Sequence, residues 1–288
     1  MSEATQRIVV GDAIITAIVE AETLGIPVQL FFPDAAPADV AAAEWLSELD
    51  GAADPSGNIA FRVQAFIIEF AGRTVLVDPC VGNGKRRTMP FWNNLATPWL
   101  QRFHDAGFSE DDIDLVVHTH LHEDHLGWDT RRVDDEWTPT FTNARYVYVD
   151  NELDWAASKD RSGQDPYGDS IEPIIRAGRA DVVAADAVLC PGIRLLSTPG
   201  HTPGHASMLV ESGDGLLISG DFLHHPFQCA DPSIAEVGDV NAHQARATRA
   251  EMLDHCASQQ YVVAGTHFPI APFGTIESRR SAWRFRKR

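Results

Sequence analysis

Short runs of aliphatic and β-branched residues alternate with polar positions along much of this chain and predict strands. Residues 8–20 favour a pair of strands, and residues 61–78 favour a hairpin that turns at Ala71-Gly72-Arg73. Further strands are predicted at residues 113–118, 144–150, 193–198, 206–211, 215–220 and 261–265. Helical spacing is found at residues 97–106, from Asn151 onward and at residues 241–256. This mixture predicts an α+β fold, with sheets packed on each other and helices outside.

The length and composition are those of an ordinary globular protein. The 288 residues are 44% hydrophobic and 22% charged, which is sufficient to bury a sizeable core. We expect one domain over residues 1–288, with a surface excursion at residues 33–57. No apolar run reaches the roughly 18 residues of a membrane helix, and no signal peptide is recognisable. A cytoplasmic protein that does not contact membranes is therefore expected.

The net charge of −18 is unevenly distributed along the chain. Residues 278–288 hold six of the 23 basic residues and no acidic one, so residues 1–277 carry −24. Because so acidic a body repels phosphates, no nucleic-acid partner is expected. The basic end is predicted to be a last strand with Arg284 and Arg286 on its solvent face, and a partner-binding tail is the alternative. The basic run at residues 85–87 is interpreted as solvated.

Histidine and acidic residues are most concentrated in the stretch T-H-L-H-E-D-H at residues 119–125, which contains three of the 12 histidines. In an extended chain, side chains two positions apart point the same way, so His120 and His122 can face one metal ion. Asp124 and His125 follow where the chain turns and could serve a second ion. The four cysteines form no C-x-x-C pair, so buried, reduced thiols are expected. Imidazole and carboxylate are the ligands that remain for zinc.

Three other stretches place a polar side chain directly after a predicted strand. T-P-G-H-T-P-G-H puts His201 and His205 after residues 193–198, L-L-I-S-G-D ends on Asp221, and V-V-A-G-T-H-F brings in His267. Rigid strands fix where such loops begin, which is why sites are common at strand ends.

Taken in order, these four motifs resemble the metallo-β-lactamase-fold hydrolase superfamily, from Val77-Asp78 to His267. The resemblance implies an αββα sandwich with a dinuclear metal site at one edge. It implies a first ion bound by His120, His122 and His201. It implies a second ion bound by Asp124, His125 and His267, with Asp221 bridging the two. His205 is expected to support the site without binding metal.

Details of the motifs point to one branch of this superfamily, that of lactonases and enzymes similar to methyl parathion hydrolase. Asp221 stands where β-lactamases of this fold often carry cysteine, and the acidic body is unlike the nuclease branches. The stretch G-D-F-L-H-H-P-F-Q at residues 220–228 looks like methyl parathion hydrolase. His224 lies where acyl homoserine lactonases often carry tyrosine. Two divalent ions per chain are implied, and zinc is expected because His122 and His125 replace the carboxylates of diiron relatives.

The function implied by the resemblance is hydrolysis by a metal-bridging hydroxide, which would open a lactone or cleave an ester with an apolar part. Asp124 would carry a proton to the leaving group, and His224 would donate a hydrogen bond to the oxyanion. Trp128 and Phe222 are candidates for the wall of a small-molecule pocket.

Two alternatives to the lactonase reading stay open. One is an organophosphate triester hydrolase or a hydrolytic dehalogenase acting on an aryl substrate. The other is a metal-binding regulator or effector with little turnover. A homodimer is expected from the resemblance and from the excursion at residues 33–57, because its apolar residues, such as Trp45, could be buried at an interface.

Overall fold

The computed structural model describes residues 4–49, 51–159, 163–279 and 282–288. The chain divides into two compact units. Unit 1 consists of Met1–Val9, Ala13–Ala21 and Val63–Ala185. Unit 2 consists of Val10–Asp12, Glu22–Arg62 and Asp186–Arg288. The single domain expected from the sequence stays a prediction.

A first sheet has seven strands in the order β1-β2-β3-β4-β5-β8-β9, and most of its residues belong to unit 1. Its strands are β1 (Thr5–Val10), β2 (Ala13–Ile26), β3 (Ile59–Phe70), β4 (Arg73–Val77), β5 (Leu115–Val117), β8 (Arg145–Val149) and β9 (Ala180–Val183). A two-stranded ribbon is formed by β6 (Thr130–Val133) and β7 (Glu136–Pro139). The helices of unit 1 are α2 (Trp99–Asp105), α3 (Asp150–Ala157) and α4 (Glu172–Arg176), and a π-helical turn at Tyr167–Ile171 precedes α4.

Parallel pairing in this sheet brings several strand ends to one edge. β4 pairs with β5, β5 with β8, and β8 with β9, all in parallel, with Val75 opposite Leu115 and Leu115 opposite Arg145. The last residues of β4, β5 and β8 are apolar or aromatic and buried, as is expected of parallel strands that are covered on both faces. The carboxyl ends of parallel strands meet at the same edge, so the residues after β4, β5 and β8 become neighbours.

A second sheet lies within unit 2 and has seven strands in the order β10-β11-β12-β13-β14-β15-β16. These are β10 (Val188–Cys190), β11 (Ile193–Ser197), β12 (Ala206–Val210), β13 (Leu216–Ile218), β14 (Val262–Ala264), β15 (Phe273–Arg279) and β16 (Ala282–Lys287). Only β13 and β14 pair in parallel within the described part of this sheet. Its helices are α1 (Pro37–Ala42) and the 18-residue α5 (Ala242–Gln259).

Most strands and helices predicted from hydrophobic spacing are confirmed, including the hairpin that turns at Ala71-Gly72. The basic end forms β16, in which Phe285 is buried and Arg286 is exposed, as predicted, whereas Arg284 is half-buried beside Glu48. The interpretation of the run at residues 85–87 was wrong, because Lys85 and Arg87 are buried against Asp169. A buried ion pair needs a partner distant in sequence, so the run alone could not reveal it.

Among the residues that the structure describes, no helix combines the length and the hydropathy that crossing a membrane requires.

Candidate functional site

The histidine motif of unit 1 forms a loop directly after β5, which we call the motif loop (residues 118–129). His120 is buried, and its Nε2 atom lies 3.0 Å from Nδ1 of His122. The two rings meet edge to face, with centroids 4.7 Å apart. The alternation expected of an extended chain therefore does bring these two imidazoles together, as predicted. Two nitrogens at this distance can share one proton or bind one cation.

The second half of the motif loop places Asp124 beside His125. The Oδ2 atom of Asp124 is 3.7 Å from Nε2 of His125, and the ring of His125 lies 4.1 Å from that of His120. Asp78, the residue after β4, contacts two residues of the motif loop. Its carboxylate accepts hydrogen bonds from the backbone N–H and the hydroxyl of Thr119 at 2.8 and 2.7 Å, and it lies 3.0 Å from Nδ1 of His125. Asp78 thus orients His125 so that Nε2 faces Asp124.

Other parts of unit 1 hold the motif loop in place. Glu152 of α3 is buried and accepts a hydrogen bond of 3.0 Å from the backbone N–H of Leu121. His118 donates from Nδ1 to the carbonyl of Val147 and from Nε2 to Asp129. Burial alone would lower its pKa, but the charge of Asp129 holds the pKa of His118 above its ordinary value.

Trp128, a candidate for the pocket wall, is buried and stacks on Trp99 with ring centroids 5.3 Å apart. Its indole N–H donates a hydrogen bond of 2.7 Å to the buried carboxylate of Glu20. Glu20 also accepts from the hydroxyl of Thr97 and from the backbone N–H groups of Val81 and Gly82. Burial raises the pKa of Glu20. Trp128 therefore ties the end of the motif loop to β2 and to the turn after β4.

In unit 2, three strand ends supply what we call the strand-end set: His201, Asp221 and His267. One oxygen of Asp221 lies 3.1 Å from Nε2 of His267, and the other lies 3.4 Å from Nε2 of His201. His267 donates from Nδ1 to the carbonyl of Arg62 at 2.7 Å, which directs its Nε2 towards Asp221. The second oxygen also lies 3.3 Å from Nε2 of His267, so the Asp221 carboxylate is placed between the two imidazoles, where a bridging ligand would stand.

His205, four residues after His201, contacts the backbone beside Asp221. Its Nδ1 atom donates to the carbonyl of Thr198 at 3.0 Å, and its Nε2 atom accepts the backbone N–H of Asp221 at 2.8 Å. His205 is thus a neutral imidazole that fixes the turn carrying Asp221. This supporting position is the one expected from the sequence.

His201 is oriented by residues that belong to no motif recognisable in the sequence. Its Nδ1 atom donates a hydrogen bond of 2.9 Å to Asp239, which in turn lies 3.5 Å from the buried guanidinium of Arg249. Burial alone would raise the pKa of Asp239, but the hydrogen bond from His201 and the neighbouring positive charges bring it to about 2. Arg249 of α5 also donates to the carbonyl of Phe222, the second candidate for the pocket wall, which is buried.

His224, predicted to act in catalysis, is buried next to the strand-end set. Its Nε2 atom lies 3.1 Å from Asp221 and 3.7 Å from Glu236. Burial would lower the pKa of His224, but the charges of these two carboxylates raise it. Glu236 and Asp239 belong to a loop before α5 that has no recognisable motif. Their polar side chains could only be assigned once the fold had placed the loop.

The donor sets in both units fit divalent metal ions. In unit 1, the ligand atoms of His120 and His122 lie within 4.8 Å of each other, and so do those of Asp124 and His125. In unit 2, the same holds for His201 and Asp221. Imidazoles and carboxylates without thiolates suit zinc and other divalent ions, and nearly all of these side chains are buried. Cys80 is buried and belongs to none of the groups of metal-binding side chains found among the described residues.

Comparisons with known proteins place this arrangement in a family. The model of the metallo-beta-lactamase superfamily matches residues 59–273 of the chain. An N-acyl homoserine lactonase of Bacillus thuringiensis is 29% identical over 140 residues, which are 45% of this chain and 50% of that protein. The lactonase AiiB of Agrobacterium fabrum is 29% identical over 186 residues, or 57% of this chain and 63% of AiiB. The chain thus spans about half the length of the first of these relatives.

Solved structures show the same fold. The dizinc quorum-quenching lactonase AidC, in complex with a product, has a TM-score of 0.80 at 18% identity, with 100% of this chain and 99% of that one covered. The hydrolase AbOPH of the beta lactamase superfamily also has a TM-score of 0.80, at 22% identity, with 100% and 98% covered. The α+β fold class predicted from the sequence is confirmed. With its family model matched and its fold shared, the chain belongs to the metallo-β-lactamase superfamily.

Proposed function

We propose that this protein is a dinuclear metal-dependent hydrolase that opens a lactone, in the manner of an acyl homoserine lactonase, or cleaves a related ester with an apolar part. The observation that carries the proposal is the buried strand-end set, in which both oxygens of Asp221 lie within 3.4 Å of imidazole nitrogens, Oδ1 beside His267 and Oδ2 beside both His267 and His201. Relatives named as N-acyl homoserine lactonases support the substrate class.

We assign the metal ligands as the motifs imply. The first ion would be held by His120, His122 and His201, the second by Asp124, His125 and His267, and Asp221 would serve both. When bound, the two ions would lower the pKa of a metal-bound water towards about 7 and would polarise the bond to be broken.

Side chains of the protein would carry out proton transfer, stabilise the oxyanion and contact the substrate. Asp124, a carboxylate 6% exposed, accepts a proton and delivers it to the leaving alkoxide. His224 donates a hydrogen bond from Nε2 to the oxyanion. Trp128 and Phe222 border the apolar part of the substrate. We further propose a cytoplasmic homodimer that acts on small molecules and binds neither nucleic acid nor membranes.

The decisive experiment measures proton release by the zinc-reconstituted protein with a long-chain acyl homoserine lactone. We expect rapid release that is lost in Asp221→Ala and kept in Asp214→Ala, which changes an exposed carboxylate in the turn before β13. Protein that carries two metal ions per chain and releases no protons would overturn the lactonase proposal.

A second candidate is hydrolysis of aryl phosphotriesters or aryl halides. It is favoured by His224, which occupies the position three residues after Asp221 where acyl homoserine lactonases often carry tyrosine. Turnover of a chromogenic aryl phosphotriester, in the absence of lactone hydrolysis, would select this candidate. If the metal-loaded protein turns over none of these substrates, a metal-binding regulator remains.

A further inference from the structure

A second group of metal-binding side chains lies in unit 2, beside the proposed ligands. His201, His224 and Glu236 are all buried, and one ligand atom of each lies within 4.8 Å of the other two. The Oε2 atom of Glu236 is 3.7 Å from Nε2 of His224 and 3.8 Å from Nδ1 of His201. The rings of the two histidines are 4.7 Å apart. We call these three residues the His-His-Glu cluster.

The spacing of the His-His-Glu cluster suits a small divalent cation. Around a tetrahedral zinc ion with bonds of about 2.0–2.2 Å, neighbouring donor atoms lie roughly 3.3–3.5 Å apart. The separations of 3.7 and 3.8 Å are only slightly larger. Small rotations of the side chains would therefore bring all three donors into bonding distance.

The hydrogen bonding of His224 points to the same ligand. Its Nε2 atom faces Asp221 at 3.1 Å and Glu236 at 3.7 Å. One N–H can point at only one of these oxygens, whereas a cation can contact both. On the opposite side of the ring, Nδ1 is buried and has no hydrogen-bond partner among the described residues. The contacts of the His224 ring are therefore on its Nε2 side. A cation bound to Nε2 would lie between the carboxylates of Asp221 and Glu236.

The charges around the His-His-Glu cluster also favour a divalent cation. Asp221, Glu236 and Asp239 bring three buried carboxylates together around His201 and His224. Arg249 contacts Asp239 and offsets one of these charges. Asp221 is compensated by the ions of the proposed centre, so the charge that a further divalent ion would offset is that of Glu236, whose buried carboxylate is otherwise costly.

We propose that His201, His224 and Glu236 form an alternative cation position, which a divalent ion occupies when metal is in excess. An ion held there replaces the proton that Nδ1 of His201 donates to Asp239, and so removes the contact that orients this proposed ligand of the productive centre. It also withdraws His224 from the hydrogen bond to the oxyanion. Excess metal therefore inhibits hydrolysis, and this consequence, unlike the binding itself, rests on the proposed function.

The binding is tested directly by anomalous diffraction at the zinc edge, on crystals of the unaltered protein at low and at high zinc concentration. At high zinc, we expect a peak within about 2.0–2.2 Å of Nε2 of His224 and of the Glu236 carboxylate. The absence of this peak at high zinc would overturn the proposal. The measurement needs no variant, so it does not depend on any substitution folding correctly.

The inhibition is tested by lactone hydrolysis at rising zinc concentrations. The unaltered protein and Glu251→Gln, an exposed carboxylate of α5, should be inhibited at the same zinc concentration. Glu236→Gln should need at least tenfold more zinc, because even a residue that only supports a ligand is worth about 10–100-fold in metal affinity. Inhibition of Glu236→Gln at the unaltered concentration would count against the proposal.

Failure of the proposed function gives a different result. A protein that shows the zinc peak at the His-His-Glu cluster but hydrolyses no lactone keeps the alternative cation position and loses the lactonase assignment. A protein that hydrolyses the lactone, and shows no such peak at high zinc, keeps the lactonase assignment and loses the alternative position.

Discussion

The motif loop of unit 1 and the strand-end set of unit 2 contain similar side chains, but these are contiguous in the sequence in unit 1 and dispersed along it in unit 2. The motif loop concentrates His120, His122, Asp124 and His125 within six consecutive residues. The strand-end set gathers His201, Asp221 and His267 from positions 66 residues apart at the extremes, because β13 and β14 are parallel neighbours and end at the same edge. A dense motif and a dispersed set can therefore provide equivalent ligands, as long as rigid strands fix the dispersed ones.

The supports of the two sets differ more than the ligands do. The motif loop is held by residues at the ends of the neighbouring parallel strands and in α3, such as Asp78 and Glu152. His201 is held by Asp239, from a loop without a motif, and through it by Arg249 of α5. The strand-end set thus depends on longer chains of contacts than the motif loop does.

The largest expected effects are losses of activity when a proposed ligand is removed, and they compare the contributions of the motif loop and the strand-end set to hydrolysis. We expect His122→Ala in unit 1 and His267→Ala in unit 2 each to lower kcat/KM for the lactone by at least about 100-fold, since even a supporting residue of a metal ligand is worth about 10–100-fold. Initial rates and metal content by mass spectrometry check this. If either variant keeps full activity and two bound ions, the assignment of that residue as a ligand is wrong.

The supports provide a sharper comparison. Asp78→Asn and Asp239→Asn should each weaken zinc binding by about 10–100-fold, because the imidazole beside each carboxylate loses its orienting partner. Competition with a chromophoric chelator measures the affinity, with Asp214→Asn as the matched exposed control. The two losses should be similar, since each carboxylate contacts one proposed ligand and one further residue, Thr119 beside Asp78 and Arg249 beside Asp239. Equal affinity in all three variants would refute the supporting roles.

A smaller effect is expected from the contact that ties Trp128 to β2. Glu20→Gln should lower the free energy of unfolding by about 1–3 kcal/mol, because the amide N–H₂ would face a donor that is buried with it. Urea denaturation measures the loss, and Glu69→Gln is the control, since Glu69 forms a partly exposed ion pair with Arg7. A variant as stable as the control would show that this network contributes little to unit 1.

The smallest expected effect is a loss of stability at low pH caused by His225. The pKa of this residue is lowered, whereas that of its neighbour His224 is raised. Burial lowers the pKa of His225 to about 3, and its Nδ1 atom accepts the backbone N–H of Phe227. Between pH 6.5 and 3 the unfolded chain binds the proton more readily, so the folded protein loses stability as the pH falls. From pH 7.5 to 5.5 this residue should lower the free energy of unfolding by about 1.4 kcal/mol.

His225→Asn provides the test of this pH dependence, because its side-chain oxygen can still accept the N–H of Phe227 but does not titrate. Denaturation at both pH values should show a smaller loss of stability in the variant than in the unaltered protein. An identical loss in both proteins would mean that other groups dominate the acid sensitivity.

The sequence by itself determined the strands, the α+β class and the family, because these depend on local spacing and on contiguous motifs. Its prediction for His205 agrees with the contact that this residue makes with the backbone of Asp221. Asp78 directly follows β4, and Asp221 comes shortly after β13, so the position of Asp78 after a strand was a signal for a residue of the site that the sequence already contained.

Only the tertiary structure decided which side chains support the ligands and which charges are buried. Lys85 and Arg87 looked like a solvated run, and their partner Asp169 lies more than 80 residues away in the chain. Glu236, Asp239 and Arg249 carry no motif, and their roles follow from where β13, the loop before α5 and α5 itself are packed. Local patterns specify a strand and the residue at its end, but the contacts of that residue depend on distant segments that only folding brings together.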